Sequence, residues 1–395
     1  MFSFKEYDWK RYNFMLLIIM VILGVFGAYF VKFAITATNG SEYAGSYFKR
    51  QIIALFFGLC VAIVVSVIDY KRICDFAIIF YLIGTILVAA TRLSPLGTDL
   101  ETGSYRWLKL GVNFQPSEIC KLTIIIMLAV FFMHVQEEMD LWRTFFKGFF
   151  IMFFPTAFIL IQSDLSSSLV IVFVFAMMVY AAEISHKIVV PILVTTIPTV
   201  IGGIWFLLQP MGKAVIDKLP FIKYYQVVRI IGFLNPEKYA NDTMYQQLHS
   251  IQSIASGQLI GKLIVGSSSS IKNYSWVDVC ESDFIFSVVG EEMGFVGSIF
   301  IILLLVSIVF LCIRTAKHCN DTMGYLIAVG ISAMFMFQIF ANIGVASMLL
   351  PNTGLPLPFL SNGISSLVSA SIAIGMVINI GMQSGSGDRS GISFM

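Results

Sequence analysis

Charged side chains are scarce in this chain. Asp, Glu, Lys and Arg make up 12% of the 395 residues, hydrophobic residues make up 58%, and the mean hydropathy is +0.87. This composition excludes a soluble globular domain, which carries about twice as much charge. The formal net charge of +2 comes without a dense basic cluster, so we expect no nucleic-acid partner.

Cysteine and histidine are also few and scattered. The six cysteines form no Cys-x-x-Cys pair, and the four histidines lie far apart in the chain. They are Cys60, Cys74, Cys120, Cys280, Cys312 and Cys319, with His134, His186, His249 and His318. The pattern predicts neither a disulfide framework nor a zinc site.

Long apolar runs are what the chain has in abundance. Several of ten such runs reach the roughly 20 residues that a helix needs to cross a bilayer. They lie at about 14–33, 52–68, 74–90, 117–132, 146–161, 165–182, 188–208, 295–313, 323–349 and 367–382. The sequence predicts an all-α polytopic membrane protein with ten transmembrane helices, built as a single integral membrane domain over residues 1–395.

The connections between these runs predict the topology. Lys5, Lys10 and Arg11 precede the first span, which places the N-terminus in the cytoplasm by the positive-inside rule. Ten spans place the C-terminus there as well, with a Gly- and Ser-rich tail at 384–395 that we expect to be disordered. The same count puts the large loop at 210–283, between helices 7 and 8, outside the cell.

Within that large loop, residues 224–234 form an amphipathic stretch that we expect to lie at the membrane interface. The loop ends in the stretch 276–297, where acids run directly into a long apolar segment. Charges kept at such a boundary are usually functional, so we predict that Asp283 is a catalytic base. The alternative is that Asp283 caps the following helix.

Glu291 and Glu292 lie deeper in the same stretch. Three roles fit them from sequence alone: holding a cation, pairing with Lys121, or organising the helix bundle.

Several cations fall on the predicted outer side, against the usual bias. They are Arg106, Lys109, Lys121 and Arg229. An anionic ligand such as a diphosphate would explain them through charge-assisted hydrogen bonds. The alternative is that these side chains extend to lipid headgroups.

Four separated motifs carry a family resemblance. They are GSYRWLKLG at 103–111 with FQPSE at 114–118; YQxxRIxxFLNPE at 225–237; DFIF at 283–286 with GEEMG at 290–294; and NIG at 342–344 with LPxTGxPLPF at 350–359. The chain resembles the SEDS family, the RodA, FtsW and SpoVE proteins of bacterial cell-wall synthesis. The resemblance covers nearly the whole chain, with the motifs in the family's order.

The resemblance implies a peptidoglycan glycosyltransferase that polymerises lipid II at the outer face of the bacterial cytoplasmic membrane. Asp283 matches the family's essential aspartate, Trp107 its first-loop tryptophan, and Lys121 the lysine of its central cavity. The further candidate substrate contacts are Arg106, Lys109, Glu118, Arg229 and Glu292.

The resemblance also implies a partner, a class B penicillin-binding protein that acts as transpeptidase. A divalent cation near Asp283, Mg²⁺ or Mn²⁺, is left open, and so is the choice among elongation, division and sporulation.

Departures from the family pattern keep other functions open. The run Asp278-Val279-Cys280-Glu281-Ser282-Asp283 lacks the family's proline and glutamate, and Ser163-Asp164-Leu165-Ser166 replaces Pro-Asp-Leu-Gly. A flippase or secondary transporter also places ionisable residues among helices. A catalytically silent scaffold for a penicillin-binding protein is the third possibility.

Overall fold

The computed structural model describes residues 7–98, 105–109, 113–207, 209, 224–265 and 272–384. The helices in these residues are α1 (Phe14–Thr38), α2 (Ser41–Val67), α3 (Tyr70–Asp75), α4 (Ala77–Leu93), α5 (Pro116–His134), α6 (Trp142–Ile161), α7 (Leu165–Ala181), α8 (His186–Leu207), α9 (Tyr224–Leu234), α10 (Tyr245–Ser256), α11 (Lys262–Val265), α12 (Ile285–Lys317), α13 (Thr322–Ala346) and α14 (Ile364–Gln383). Short 3-10 turns occur at Trp9–Arg11, Gln136–Glu138 and Asn273–Trp276.

Three very short strands interrupt the helices in the first long loop. They are β1 (Gly97–Thr98), β2 (Trp107–Lys109) and β3 (Asn113–Phe114), paired antiparallel in that order. Thr98 lies opposite Trp107, and Leu108 opposite Phe114. The pairing sets the register of Trp107, Leu108 and Lys109 against the neighbouring strands.

The membrane-spanning character of the helices follows from their length and apolarity. In the described part of the chain, eight helices are long and apolar enough to cross a membrane. The remaining two predicted spans correspond to α4 and α7, each with 17 residues and about 25 Å long at 1.5 Å per residue. The all-α polytopic class is confirmed, and the count of ten crossings stays a prediction.

Helix ends are set by local capping. Pro116 begins α5, where its missing N–H costs nothing. The Asp164 side chain accepts a hydrogen bond from the Ser167 N–H at 3.1 Å and starts α7. Asp321 accepts from the Gly324 N–H at 3.1 Å and starts α13.

Helices α5, α13 and α14 form the centre of the bundle. In each, 72% of the most apolar window is buried, against 33–39% in α2, α6 and α12. The peripheral helices therefore present many apolar side chains outward, as lipid-facing helices do, while the central three include buried polar groups such as Glu118, Lys121 and Asn342.

Helix α12 is broken at Gly294, whose φ of 66° and ψ of −165° are far from helical. The chain at 258–261 fills the break, since the Phe295 N–H donates to the Gln258 carbonyl at 2.8 Å and the Val296 N–H to the Leu259 carbonyl at 3.1 Å. The part of α12 after the break contains the predicted span at 295–313.

The large loop folds onto this entry helix. A Cβ atom on Gly257 would lie only 1.9 Å from the Gly290 carbonyl oxygen, so the two backbones touch there. The predicted amphipathic stretch at 224–234 forms α9, although its depth in the membrane stays a prediction. The domain limits stay predictions too, and the predicted tail lies outside the described residues apart from Ser384.

Candidate active site

Asp283 lies in the turn that immediately precedes α12. Its Oδ1 accepts a hydrogen bond from the Ser282 hydroxyl at 3.1 Å. Its backbone carbonyl accepts one from the Asn342 side-chain amide at 2.8 Å, and the same amide donates to the Leu355 carbonyl at 2.7 Å. The capping residue of α12 is Phe284, with no side-chain cap, so the alternative of Asp283 as a helix cap is wrong.

The loop between α13 and α14 encloses the Asp283 turn. Asn362 N–H donates to the Glu281 carbonyl at 2.9 Å, and the Ser361 hydroxyl donates to the Ser282 carbonyl at 2.6 Å. Gly354 has a φ of 74°, and a Cβ atom there would lie 3.0 Å from Asp283 Oδ2. Glycine adopts this positive φ without strain, and its lack of a side chain leaves room for the Asp283 carboxylate.

The surroundings of Asp283 set its proton affinity. Burial of the carboxyl raises the pKa of Asp283 most strongly, and the charge of Asp164 raises it further. The Ser282 hydrogen bond and the positive charges of Arg106 and Arg229 lower it. The balance is a pKa above the ordinary aspartate value, which suits a group that must accept a proton.

Arg106 approaches the site from the first long loop, and Arg229 approaches it from α9 within the large loop. Arg106 Nη2 donates to the Ser163 carbonyl at 2.7 Å, while its Nε is buried with no hydrogen-bond partner among the described residues. Arg229 Nη1 donates to the Asn352 carbonyl at 3.4 Å. The two cations predicted from sequence therefore converge on the Asp283 region.

The segment 163–166 also belongs to this site. The Ser166 hydroxyl donates to the Thr353 carbonyl, which ties the start of α7 to the loop over Asp283. The sequence identified this segment only as a departure from the family pattern, and assigned it no role. Its signal was the acid Asp164 at a span boundary, the same criterion that selected Asp283.

Lys121 and Glu118 form a separate buried pair within α5. Lys121 Nζ donates to Glu118 Oε1 at 2.8 Å, and the Ser369 hydroxyl of α14 donates to the Glu118 carbonyl at 2.8 Å. Neither side chain contacts Asp283 in the described structure. Their contact with substrate stays a prediction.

Trp107 and Lys109 lie on β2, with Trp107 half-buried and Lys109 exposed. The Lys109 N–H donates to the Leu96 carbonyl at 3.0 Å. Both residues follow Arg106 closely in the sequence, and their contacts with substrate also stay predictions.

Glu291 and Glu292 anchor the large loop to α12. Glu291, fully buried, accepts from the Ser253 hydroxyl at 2.7 Å, from the Asn273 and Tyr274 N–H groups at 3.0 and 3.1 Å, and from Lys262. Glu292 accepts from the Tyr274 hydroxyl at 2.7 Å and forms an ion pair with Lys272 at 3.0 Å.

The alternative that these acids pair with Lys121 is wrong, because Lys121 is bound by Glu118 and both glutamates are bound by the loop. The role of organising the bundle is the one these contacts support. The partners Lys262, Lys272 and Tyr274 were missed by sequence reasoning, since nothing local marks a contact across about 20 to 30 residues. Over the described residues, no group of three or more His, Cys, Asp or Glu side chains is placed to hold a metal.

Comparisons with known proteins agree with this architecture. Residues 10–386 match the profile of the FtsW/RodA/SpoVE family, described as "Cell cycle protein". The chain is 31% identical over 381 residues to the probable peptidoglycan glycosyltransferase FtsW of Bacillus subtilis, covering 94% of this chain and 91% of that protein. It is 30% identical over 375 residues to the protein of the same name from Geobacter metallireducens, covering 94% and 95%.

Solved structures share the fold. One chain comes from a structure described as "Structural coordination of polymerization and crosslinking by a peptidoglycan synthase complex", with a TM-score of 0.75, 24% identity, and coverage of 96% of this chain and 99% of that one. RodA of Thermus thermophilus gives a TM-score of 0.61 at 22% identity, covering 95% and 96%. The sequence match along almost the whole chain, together with the shared fold, shows that this multi-pass membrane protein belongs to the FtsW/RodA/SpoVE family.

Proposed function

We propose that the protein is a peptidoglycan glycosyltransferase that polymerises lipid II at the outer face of the cytoplasmic membrane. The observation that carries the proposal is Asp283, a carboxyl of raised pKa that is enclosed by the outer loops and approached by Arg106 and Arg229. The names of the relatives at about 30% identity support the same activity.

The chemistry requires a base and a place for negative charge. As the acceptor hydroxyl oxygen bonds to the anomeric carbon of the donor sugar, the bond from that carbon to the diphosphate oxygen breaks. Asp283 takes the hydroxyl proton. Arg106 and Arg229 stabilise the charge that grows on the departing undecaprenyl diphosphate, because fixed cations in a desolvated site need no reorganisation.

The proposal includes a divalent cation that binds together with the diphosphate of the substrate. Mg²⁺ commonly binds through one or two carboxylates plus substrate phosphates, without a protein cage. Asp283 is the carboxylate that could hold it, since the Asp164 side chain is occupied by the Ser167 N–H and hydroxyl. Titrating activity against Mg²⁺ and Mn²⁺ after chelation, with protein folding monitored in parallel, tests this part.

The proposal includes a class B penicillin-binding protein as transpeptidase partner, and a topology with both termini in the cytoplasm. The partner is supported by the fold shared with a chain of a peptidoglycan synthase complex. The orientation is supported by the basic residues ahead of α1.

The decisive experiment is polymerisation of lipid II by the purified protein with its partner, comparing wild type with Asp283→Asn. We expect loss of polymer with unchanged folding and partner binding. Asp140→Asn, an exposed aspartate between α5 and α6, is the matched control and should retain full activity. Equal product from Asp283→Asn would remove Asp283 from the reaction.

Two other results, from a vesicle translocation assay and from the polymerisation assay, would favour a flippase or a scaffold. Translocation of lipid II across vesicle membranes without polymer would indicate a flippase. Partner activation without polymerisation by the wild type would indicate a scaffold.

A further inference from the structure

A polar cavity lies on the outer side of the protein, next to the Asp283 turn. Its volume is about 470 Å³, and it lies between the C-terminal end of α1 and the segment that leads into the turn. The lining residues that carry side-chain chemistry are Thr38, Asn39, Ser275, Trp276, Asp278 and Glu281.

The chemistry of this lining selects against phosphate. None of its residues is Lys, Arg or His, and two of them are acids, so a diphosphate would be repelled. Carboxylates accept hydrogen bonds from hydroxyl groups, and Ser, Thr and Asn side chains both donate and accept them. The indole of Trp276 is 53% exposed and offers an apolar face for the CH groups of a ring.

Two further rings extend this face along α10. The ring centroids of Trp276 and His249 are 6.4 Å apart, and those of His249 and Tyr245 are 4.3 Å apart. A row of partly exposed rings beside hydroxyl-binding groups fits an extended chain of sugars, since each sugar presents one apolar face and a rim of hydroxyls.

A chain of hydrogen bonds links the cavity lining to the residues around Asp283. Asp278 Oδ2 accepts from Gln246 Nε2 at 3.4 Å, and Gln246 Oε1 accepts from Asn352 Nδ2 at 3.3 Å. Asn352 is the residue whose carbonyl binds Arg229. Glu281, also in the lining, is two residues before Asp283.

Positive and negative charges near Asp283 belong to different groups of residues. Arg106 and Arg229 carry the positive charge that suits the diphosphate, whereas the cavity lining carries Asp278 and Glu281 and no cation, which suits an uncharged, hydroxyl-rich group. We infer that the cavity and the adjoining rings of His249 and Tyr245 form a saccharide subsite that holds the glycan strand away from the diphosphate. This inference rests on the proposed function and names the part of the substrate that the cavity binds.

The test uses full-length protein in nanodiscs and a soluble tetrasaccharide of alternating N-acetylglucosamine and N-acetylmuramic acid that carries neither lipid nor diphosphate. Binding is measured by saturation-transfer NMR and by titration. We expect Trp276→Ala to weaken binding about tenfold, equivalent to about 1.4 kcal/mol, and Trp276→Phe to retain most of the affinity. Trp142→Ala, an exposed tryptophan at the start of α6, is the matched control and should bind as wild type.

Polymer length gives a second readout. Trp276→Ala should still join sugars but release shorter strands, and Asp283→Asn should make no polymer while binding the tetrasaccharide normally. Polymerisation by Asp283→Asn would remove Asp283 from the reaction, whereas absence of polymer from the wild type would refute the proposed function. Either result leaves the saccharide measurement to stand alone.

Other results would overturn the inference. Tetrasaccharide binding that is unchanged in Trp276→Ala excludes this subsite. Displacement of the tetrasaccharide by inorganic pyrophosphate would assign the cavity to phosphate, and loss of the transpeptidase partner with unchanged saccharide affinity would make it a protein interface.

Discussion

The buried ion pair of α5 allows the contribution of paired charges to the stability of the bundle to be measured. Lys121 Nζ and Glu118 Oε1 are 2.8 Å apart, and their side chains are 1% and 4% exposed. Replacing Lys121 with Met leaves the Glu118 carboxylate buried without its partner. Such a change costs about 3–5 kcal/mol, because the desolvated charge is no longer compensated. Glu118→Gln should cost a similar amount by leaving the ammonium unpaired.

The double variant should be far milder than either single one. Lys121→Met with Glu118→Gln removes both charges, and replacement of a buried pair by uncharged groups is often neutral. We expect it to lie within about 1–2 kcal/mol of the wild type. The cycle of four proteins then reports a large favourable coupling between the two side chains.

Unfolding in nanodiscs, followed by intrinsic fluorescence, measures the four stabilities. The control is Arg143→Met, because Arg143 pairs with Glu138 at 2.9 Å on the surface, where the side chains are 61% and 41% exposed. That change should cost less than about 1 kcal/mol. If Lys121→Met were no more harmful than the control, or if the two single effects simply added, the pair would not be desolvated and coupled. Polymerisation by a stable double variant would also show that Lys121 is not needed to bind substrate.

Three further outcomes are expected. Burial raises the pKa of Asp283, so activity should be lost on acidification at a pH above the usual aspartate range. Arg106 lowers the same pKa, so Arg106→Gln should move the loss of activity to still higher pH. A profile of kcat/KM against pH measures both effects, and a profile that Arg106→Gln leaves unchanged contradicts the role of Asp283 as the base. Gly294→Ala should destabilise by at least about 1–3 kcal/mol, since φ is 66° and the new Cβ would lie 2.3 Å from the Gly261 nitrogen, and thermal unfolding tests this. Glu291→Gln should make the large loop more accessible to protease, because it weakens a fully buried anchor with four partners; unchanged cleavage would show that the loop is held elsewhere.

The helices were predictable because the bilayer imposes a length on apolar runs. The predicted span at 295–313 falls within α12, and that at 367–382 falls within α14. Length does not establish that α4 and α7 cross the membrane, because each has 17 residues and is shorter than the roughly 30 Å of hydrocarbon. Local apolarity identifies a helix, but it does not determine how the helix sits in the membrane.

The site was predictable only in part. Asp283 is an acid at the edge of an apolar run, and Arg106 and Arg229 are cations on the predicted outer side, so the sequence identifies all three. The role of Asn342 is not marked, because its amide reaches the Asp283 carbonyl across 59 residues through a fold that no local pattern encodes. The partners of Glu292, Tyr274 and Lys272, are not marked in the sequence either, and its substrate contact stays a prediction.

The break at Gly294 divides α12 into a first part that contacts the large loop and a second part that is apolar enough to insert into the bilayer. Residues 295–313 contain no Asp, Glu, Lys or Arg, so this part alone meets the demands of integration into the bilayer during synthesis. Glu291 and Glu292 lie before the break and outside this run. Their ion pairs with Lys262 and Lys272 can therefore hold the large loop without adding charge to the segment that must insert.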